Sequence, residues 1–181
     1  ANLLFGDVAP GGKLPFTWPR SVGQIPMIYN HTRSHDPEKQ DRRYWDEEST
    51  PLFPFGHGLT YGATQFRNIV LSHDRIATGE SLTVSVEVSN TGNRPAEEVA
   101  QLYIHQRHGR SSRPVRELKG FERIALMPGE TRVVQLSLGP AELLYWNAAE
   151  RAWVQDAAAF DVWVGGSSVA ELHATFEVTA E

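Results

Sequence analysis

From Leu82 to Val88 every second residue is a large aliphatic: Leu82, Val84, Val86 and Val88 alternate with Thr83, Ser85 and Glu87. Side chains that repeat every two residues belong to a β-strand, so this run has one buried face and one wet face. A buried strand face needs a facing layer, and an isolated amphipathic hairpin is not stable in water. The rest of the chain must supply more strands and a second sheet to close over these residues.

It has the patterns to do so. In residues 99–106, Ala100, Leu102 and Ile104 fall on one face and Val99, Gln101 and Tyr103 on the other. Both faces are partly apolar, which places this strand centrally in its sheet. Residues 120–138 read as strand, Pro-Gly turn and strand, with Val134, Leu136 and Leu138 inward. Residues 143–156 read as a hairpin with an Asn-Ala-Ala-Glu tip, and residues 159–168 and 172–180 as two closing strands. About six to eight short strands with turns at this spacing, and no strong amphipathic helix, predict a mainly β fold. Its form is an antiparallel two-sheet sandwich of the immunoglobulin or fibronectin type III kind. With no cysteine in the chain, the sheets are held by burial alone. The expected core is Leu82, Val84, Val86, Val88, Leu102, Ile104, Leu136, Leu138, Phe160, Val162 and Val164. Each such side chain contributes about 1.5–3 kcal/mol when fully buried.

The first third of the chain is different. Residues 1–6, ANLLFG, read as the last turn of an apolar helix stopped by Gly6. That mid-stride beginning is expected of a piece of a longer polypeptide. KLPFTW, residues 13–18, is expected as a short edge strand among prolines. Residues 31–50 are rich in charge of both signs and read as an exposed loop. PLFPFGHGLTYG, residues 51–62, combines prolines and glycines, which exclude regular structure, with an apolar content unusual for a solvated loop. It reads as a stiff connector filling a seam between two packed units, with Phe53, Phe55, Leu59 and Tyr61 in that seam and Phe53 and Phe55 buried. The expected division is residues 1–50, the connector 51–65 and the sandwich 66–181.

Chemistry is sparse. A net charge of −5 gives no basic face for nucleic acid or anionic membrane, and no apolar run is long enough to span a bilayer. Seven histidines include an H-x-x-H pair, His105 and His108, but no neighbouring acid completes a zinc-like set. Asp46, Glu47 and Glu48 are adjacent, and as loop acids they stay ionised. Glu87, Glu97, Glu98, Glu130 and Asp161 fall on outward strand positions or turns. Serine occurs in no nucleophile-elbow context. Asn30-His31-Thr32 is an N-glycosylation sequon, relevant only in a eukaryotic secretory setting. Residues 113–121, RPVRELKGF, read as a crossing segment anchored by Val115, Leu118 and Phe121, with an anion or partner contact as the alternative. The strongest binding signal is Arg42-Arg43-Tyr44-Trp45. Its aromatic faces can stack on sugar rings and its arginines can donate to hydroxyls, so Arg43, Tyr44 and Trp45 are candidates for a substrate margin. The structural alternative is that the two rings pin the loop.

Four stretches, taken in order, carry a family resemblance: residues 1–26, the connector at 51–62, VSNTGNRPAEEVAQLYIH and SRPVRELKGFERIALMPGET. Together they resemble the C-terminal end of glycoside hydrolase family 3, its β-glucosidases above all, over nearly the whole chain and least at residues 31–50. The resemblance implies a barrel with a nucleophilic aspartate, an α/β sandwich domain with the acid/base glutamate, and a fibronectin type III-like domain. Residues 1–50 correspond to the tail of the α/β domain. Both catalytic motifs lie upstream, so no catalytic residue is assigned here. The implied activity is retaining hydrolysis of terminal β-D-glucosyl residues without a cofactor, in the periplasm or outside the cell. The implied partners are the upstream catalytic domains of the same polypeptide and a β-glucoside or oligosaccharide. A free-standing carbohydrate- or protein-binding sandwich is the alternative, and a homodimer through the sandwich is a further reading that composition leaves open.

Overall fold

The computed structural model describes residues 1–32 and 47–180. The alternating stretch forms β3 (Leu82–Asn90), whose side chains are buried and part-exposed in strict turn. It is the middle strand of a three-stranded sheet, between β1 (Thr64–Leu71) and β6 (Thr131–Leu138). The facing sheet has five strands in the order β2 (Arg75–Ala77), β10 (Leu172–Thr179), β9 (Ala158–Gly165), β4 (Ala96–Gln106) and β5 (Glu117–Leu126). All its pairings are antiparallel except β2 with β10. A separate hairpin, β7 (Tyr145–Asn147) with β8 (Ala152–Val154), stands apart from both sheets. The result is the expected sandwich.

All eleven expected core residues belong to one buried cluster between the sheets, joined by Ile76, Ile124, Leu126, Val134, Phe176 and others. Phe160 and Phe176 stack within it, ring centroids 5.0 Å apart. β4 is central, as its two-faced pattern predicts: residues 101–106 are buried throughout. Its second face needs its own cover, and the first third of the chain provides it.

Several local expectations are corrected. KLPFTW is not a strand; only Trp18 makes a bridge, to Phe53 of the connector. Pro10, Pro15 and Pro19 have no N–H to give a ladder, so the pairing stays local. β1 and β2 were hidden because their sequences lack strict alternation. β1 carries a register shift between Arg67 and Val70, with Asn68 at φ 53, so the pattern slips in mid-strand. RPVRELKGF is no crossing segment beyond Arg116: β5 begins at Glu117, and Phe121 is 68% exposed rather than an anchor. The hairpin turns at residues 148–151, one position later than expected. Asn147 ends β7, and its Oδ1 accepts from Ala149 N and Glu150 N instead of lying at the tip. The opening helix turn is as expected: α1 (Asn2–Phe5) stops at Gly6, which is left-handed at φ 82.

Candidate functional site

The outer face of the five-stranded sheet is where the two parts of the chain meet. Tyr103 and Gln101 project from β4 onto that face and are almost wholly buried there. The Tyr103 hydroxyl donates to Gln101 Oε1 at 2.6 Å. That fixes the amide, whose nitrogen donates to the carbonyls of Gly56 at 3.1 Å and Gly166 at 2.7 Å. Burial pushes the Tyr103 phenol well above its usual range, so it stays protonated and keeps donating. Gly56 sits directly over the amide at φ +77; a Cβ there would overlap Gln101 Oε1. Beside it Phe55 stacks on Tyr29, centroids 4.2 Å apart, and Tyr29 meets Tyr103 edge-on at 5.9 Å. Ser168 N donates to Phe55 O, and the Tyr29 hydroxyl accepts from Leu118 N. Lys13 Nζ lies 2.6 Å from Glu98, which also accepts from Thr64 Oγ1. The described residues of this first part, 1–32 and 47–62, are thus sewn onto the sandwich by a polar and aromatic seam.

A cavity of about 460 Å³ opens alongside, lined by Tyr29, His31, Arg116, Trp163 and Glu171 among others. The Arg116 guanidinium lies 4.4 Å over the Trp163 ring and donates to the carbonyls of Ser168 and Ala170, at 2.6 and 2.8 Å. Glu171 is the one carboxylate among the described lining residues. Retaining glycoside hydrolysis needs two carboxyls about 5–5.5 Å apart, so this arrangement can bind but offers no hydrolytic pair.

Two carboxylates expected at outward positions, Glu98 and Asp161, are buried. Each lies under a covering partner, which sequence spacing does not reveal. Asp161 accepts two hydrogen bonds from Arg107 and one from His173 Nε2. Burial pushes its carboxyl up, but these donors outweigh burial and hold it below the usual 3.8. Asp156 behaves alike: burial opposes ionisation, and Tyr145, the Arg110 main chain, the Arg110 side chain and Gln106 override it. Groups depressed in the folded state stabilise it above the unfolded value and lose that contribution as pH falls through the folded value. Thermal scans across acid pH should therefore show a steep loss below about pH 4 that flattens in Asp156→Asn and Asp161→Asn. Variants with the parent's acid limb would contradict this assignment.

Of the residues singled out from sequence, Arg43, Tyr44 and Trp45 lie outside the described residues. Phe55 is half-buried in the seam. Phe53 is 40% exposed, however, and Leu59 and Tyr61 are 76% and 40% exposed. The expected burial of Phe53 is not met; its ring lies on the surface, stacked on His57 at 4.9 Å. Sequence reasoning missed Tyr29, Gln101 and Gly56 as the joint. The available signal was the apolar second face of β4, which demanded a cover. RPVRELKGF keeps its expected anchoring only in part: Val115 and Leu118 are half-buried and Phe121 is exposed, while Arg113 lies over the Tyr145 ring at 4.2 Å and pairs with Glu117.

The two sides of this seam correspond to two known domains. Residues 1–61 match the glycosyl hydrolase family 3 C-terminal domain, and residues 98–168 match the fibronectin type III-like domain. The chain belongs to the C-terminal region of glycosyl hydrolase family 3. Among family relatives, a periplasmic beta-glucosidase of Salmonella typhimurium is 40% identical across 98% of this chain, and a beta-xylosidase of Formosa agariphila is 40% identical across all of it. The beta-glucosidase of Listeria innocua, solved in complex with glucose, superposes with a TM-score of 0.90 at 35% identity over 99% of this chain. The chain spans about a quarter of the length of these family members: 24% and 25% of the two curated relatives and 26% of the Listeria protein.

Proposed function

We propose that this chain is the non-catalytic C-terminal part of an enzyme that hydrolyses terminal β-D-glucosyl residues. The observation that carries the reading is the seam. It joins the last part of the family 3 C-terminal domain to the sandwich through Gly56, Gln101, Tyr103 and Tyr29, and the cavity beside it is lined by one carboxylate among the described residues. The nucleophilic aspartate and acid/base glutamate lie upstream, and the mechanism is retaining, through a covalent glycosyl-enzyme. Residues 1–50 end the α/β domain, 51–65 connect, and 66–181 form the brace. Rate in such chemistry depends on carboxyl positions held to a fraction of an ångström, which a rigid support secures. The first 61 residues also expose a large apolar surface, with Leu4, Phe5 and Leu59 more than three-quarters exposed and Trp18, Phe53 and Tyr61 about two-fifths or more. A patch of this kind marks an interface, and its partner is the upstream catalytic region. The name of the Salmonella relative supports a periplasmic or secreted setting.

The test is hydrolysis of p-nitrophenyl β-glucoside and β-xyloside. The 181-residue chain alone should release no nitrophenol above buffer, whereas the same chain preceded by its barrel and α/β sequence should turn over. Activity of the chain alone would overturn the proposal.

A further inference from the structure

The β7–β8 hairpin carries a feature that neither the core nor the seam uses. Trp146 and Trp153 are direct cross-strand partners, 51% and 65% exposed, with ring centroids 5.8 Å apart at 71°. The opposite face of the hairpin is firmly anchored. Tyr145 is buried and donates to Asp156 at 2.6 Å, and Asn147 is buried and holds the turn. The strands therefore alternate anchor, indole, anchor, and the outward face is given over to two rigid rings. The edge-to-face contact stiffens the pair but leaves more than half of each ring in water.

We propose that this hairpin is a non-catalytic binding platform for a neutral β-linked glucan chain, a proposal that rests on the glycosidase reading above. Area selects the occupant. A whole tryptophan side chain presents up to about 250 Å², so the exposed parts of the pair amount to roughly 300 Å². That is well below the ~800 Å² per partner of a stable protein interface, but it suits one or two pyranose rings, whose C–H face stacks on one indole while the other, 71° to it, walls the sugar's edge. Charge agrees. At the turn of the same hairpin, Glu150 is tied to Arg110 at 2.5 Å, so its charge is compensated. The platform would hold polymer near the enzyme without touching the reacting bond.

Affinity electrophoresis of the 181-residue chain in gels containing laminarin, mixed-linkage β-glucan or xylan tests this. Retardation is expected in at least one β-glucan gel, weakened about tenfold by Trp146→Ala or Trp153→Ala. Trp18→Ala should leave it unchanged, and the double Trp→Tyr variant, which keeps rings in place, should retain part of it. Unchanged thermal midpoints in the alanine variants separate lost binding from lost folding; if they melt early, the Trp→Tyr pair decides. No retardation in either β-glucan gel, even with retardation in xylan, or retardation that survives both alanine changes, overturns the proposal. So does a concentration-dependent dimer abolished by those changes, or indoles shielded from acrylamide in the longer enzyme. Nitrophenyl glycoside turnover by the longer enzyme is expected to be unaffected by the alanine variants. Its absence in the parent would count against the glycosidase reading and leave glucan retardation to be judged separately.

Discussion

Replacing Gly56 with alanine is expected to lower stability by about 3 kcal/mol. Part is conformational: the residue sits at φ +77, where a side chain costs roughly 1–2 kcal/mol. The rest follows from the methyl overlapping the Gln101 amide, which breaks a buried network of three hydrogen bonds, each worth about 1 kcal/mol net. For a chain of this size the midpoint should fall by roughly 10 °C. The same substitution should detach the first third of the chain from the sandwich, so that limited proteolysis cuts between residues 51 and 62 while leaving the strands intact. A midpoint within a degree or two of the parent would contradict the account of the joint.

Leu102→Ala is expected to have the larger effect on the sandwich itself, about 3–5 kcal/mol. Leu102 is fully buried at the middle of β4, and its register partner on β5 is Gly120. A Cβ on Gly120 would stand 4.0 Å from Leu102 Cβ and 3.7 Å from Leu136 Cδ2, ordinary contact distances, so both leucines pack at a point where the paired strand carries no side chain. Truncating Leu102 opens a cavity at a point where the opposing strand has no side chain to relax into it. Denaturant unfolding should show a much lower midpoint with an unchanged slope. A loss below about 1 kcal/mol would mean that the site collapses freely, against the packing described.

What could be read from the sequence was the inner face of the sandwich. Alternation in β3, β6 and β9, and the Ala100, Leu102 and Ile104 face of β4, report the inner side, and those aliphatics are the core. The outer face was harder because its cover is irregular. Tyr29 sits among prolines and exposed residues with no period to flag it, and Gly56 looks like any turn glycine until Gln101 is placed beneath it. Phe53 and Phe55 are two residues apart in a similar setting, yet one stacks inward on Tyr29 and the other outward on His57; composition alone cannot separate them. Phe121 looks like a core anchor by type and lies exposed because its position on β5 shares the outer face with Gln101. Asp161 looks solvated by spacing and is buried because Arg107 and His173, distant in sequence, close over it.

The central claim is that residues 1–32 and 47–62 form one body with the sandwich, so that fixing one fixes the other. Hydrogen exchange of the 181-residue chain, read by mass spectrometry, tests it most directly. Amides of Leu14, Trp18, Phe53, Gly56 and His57 donate to main-chain carbonyls within the cover, and that of Ser168 donates to Phe55 across the seam. The account predicts that peptides spanning residues 51–62 exchange through the same cooperative opening as those of β4, with comparable protection. Peptides 51–62 exchanging at the rate of an unstructured chain, while β4 remains protected, would contradict it.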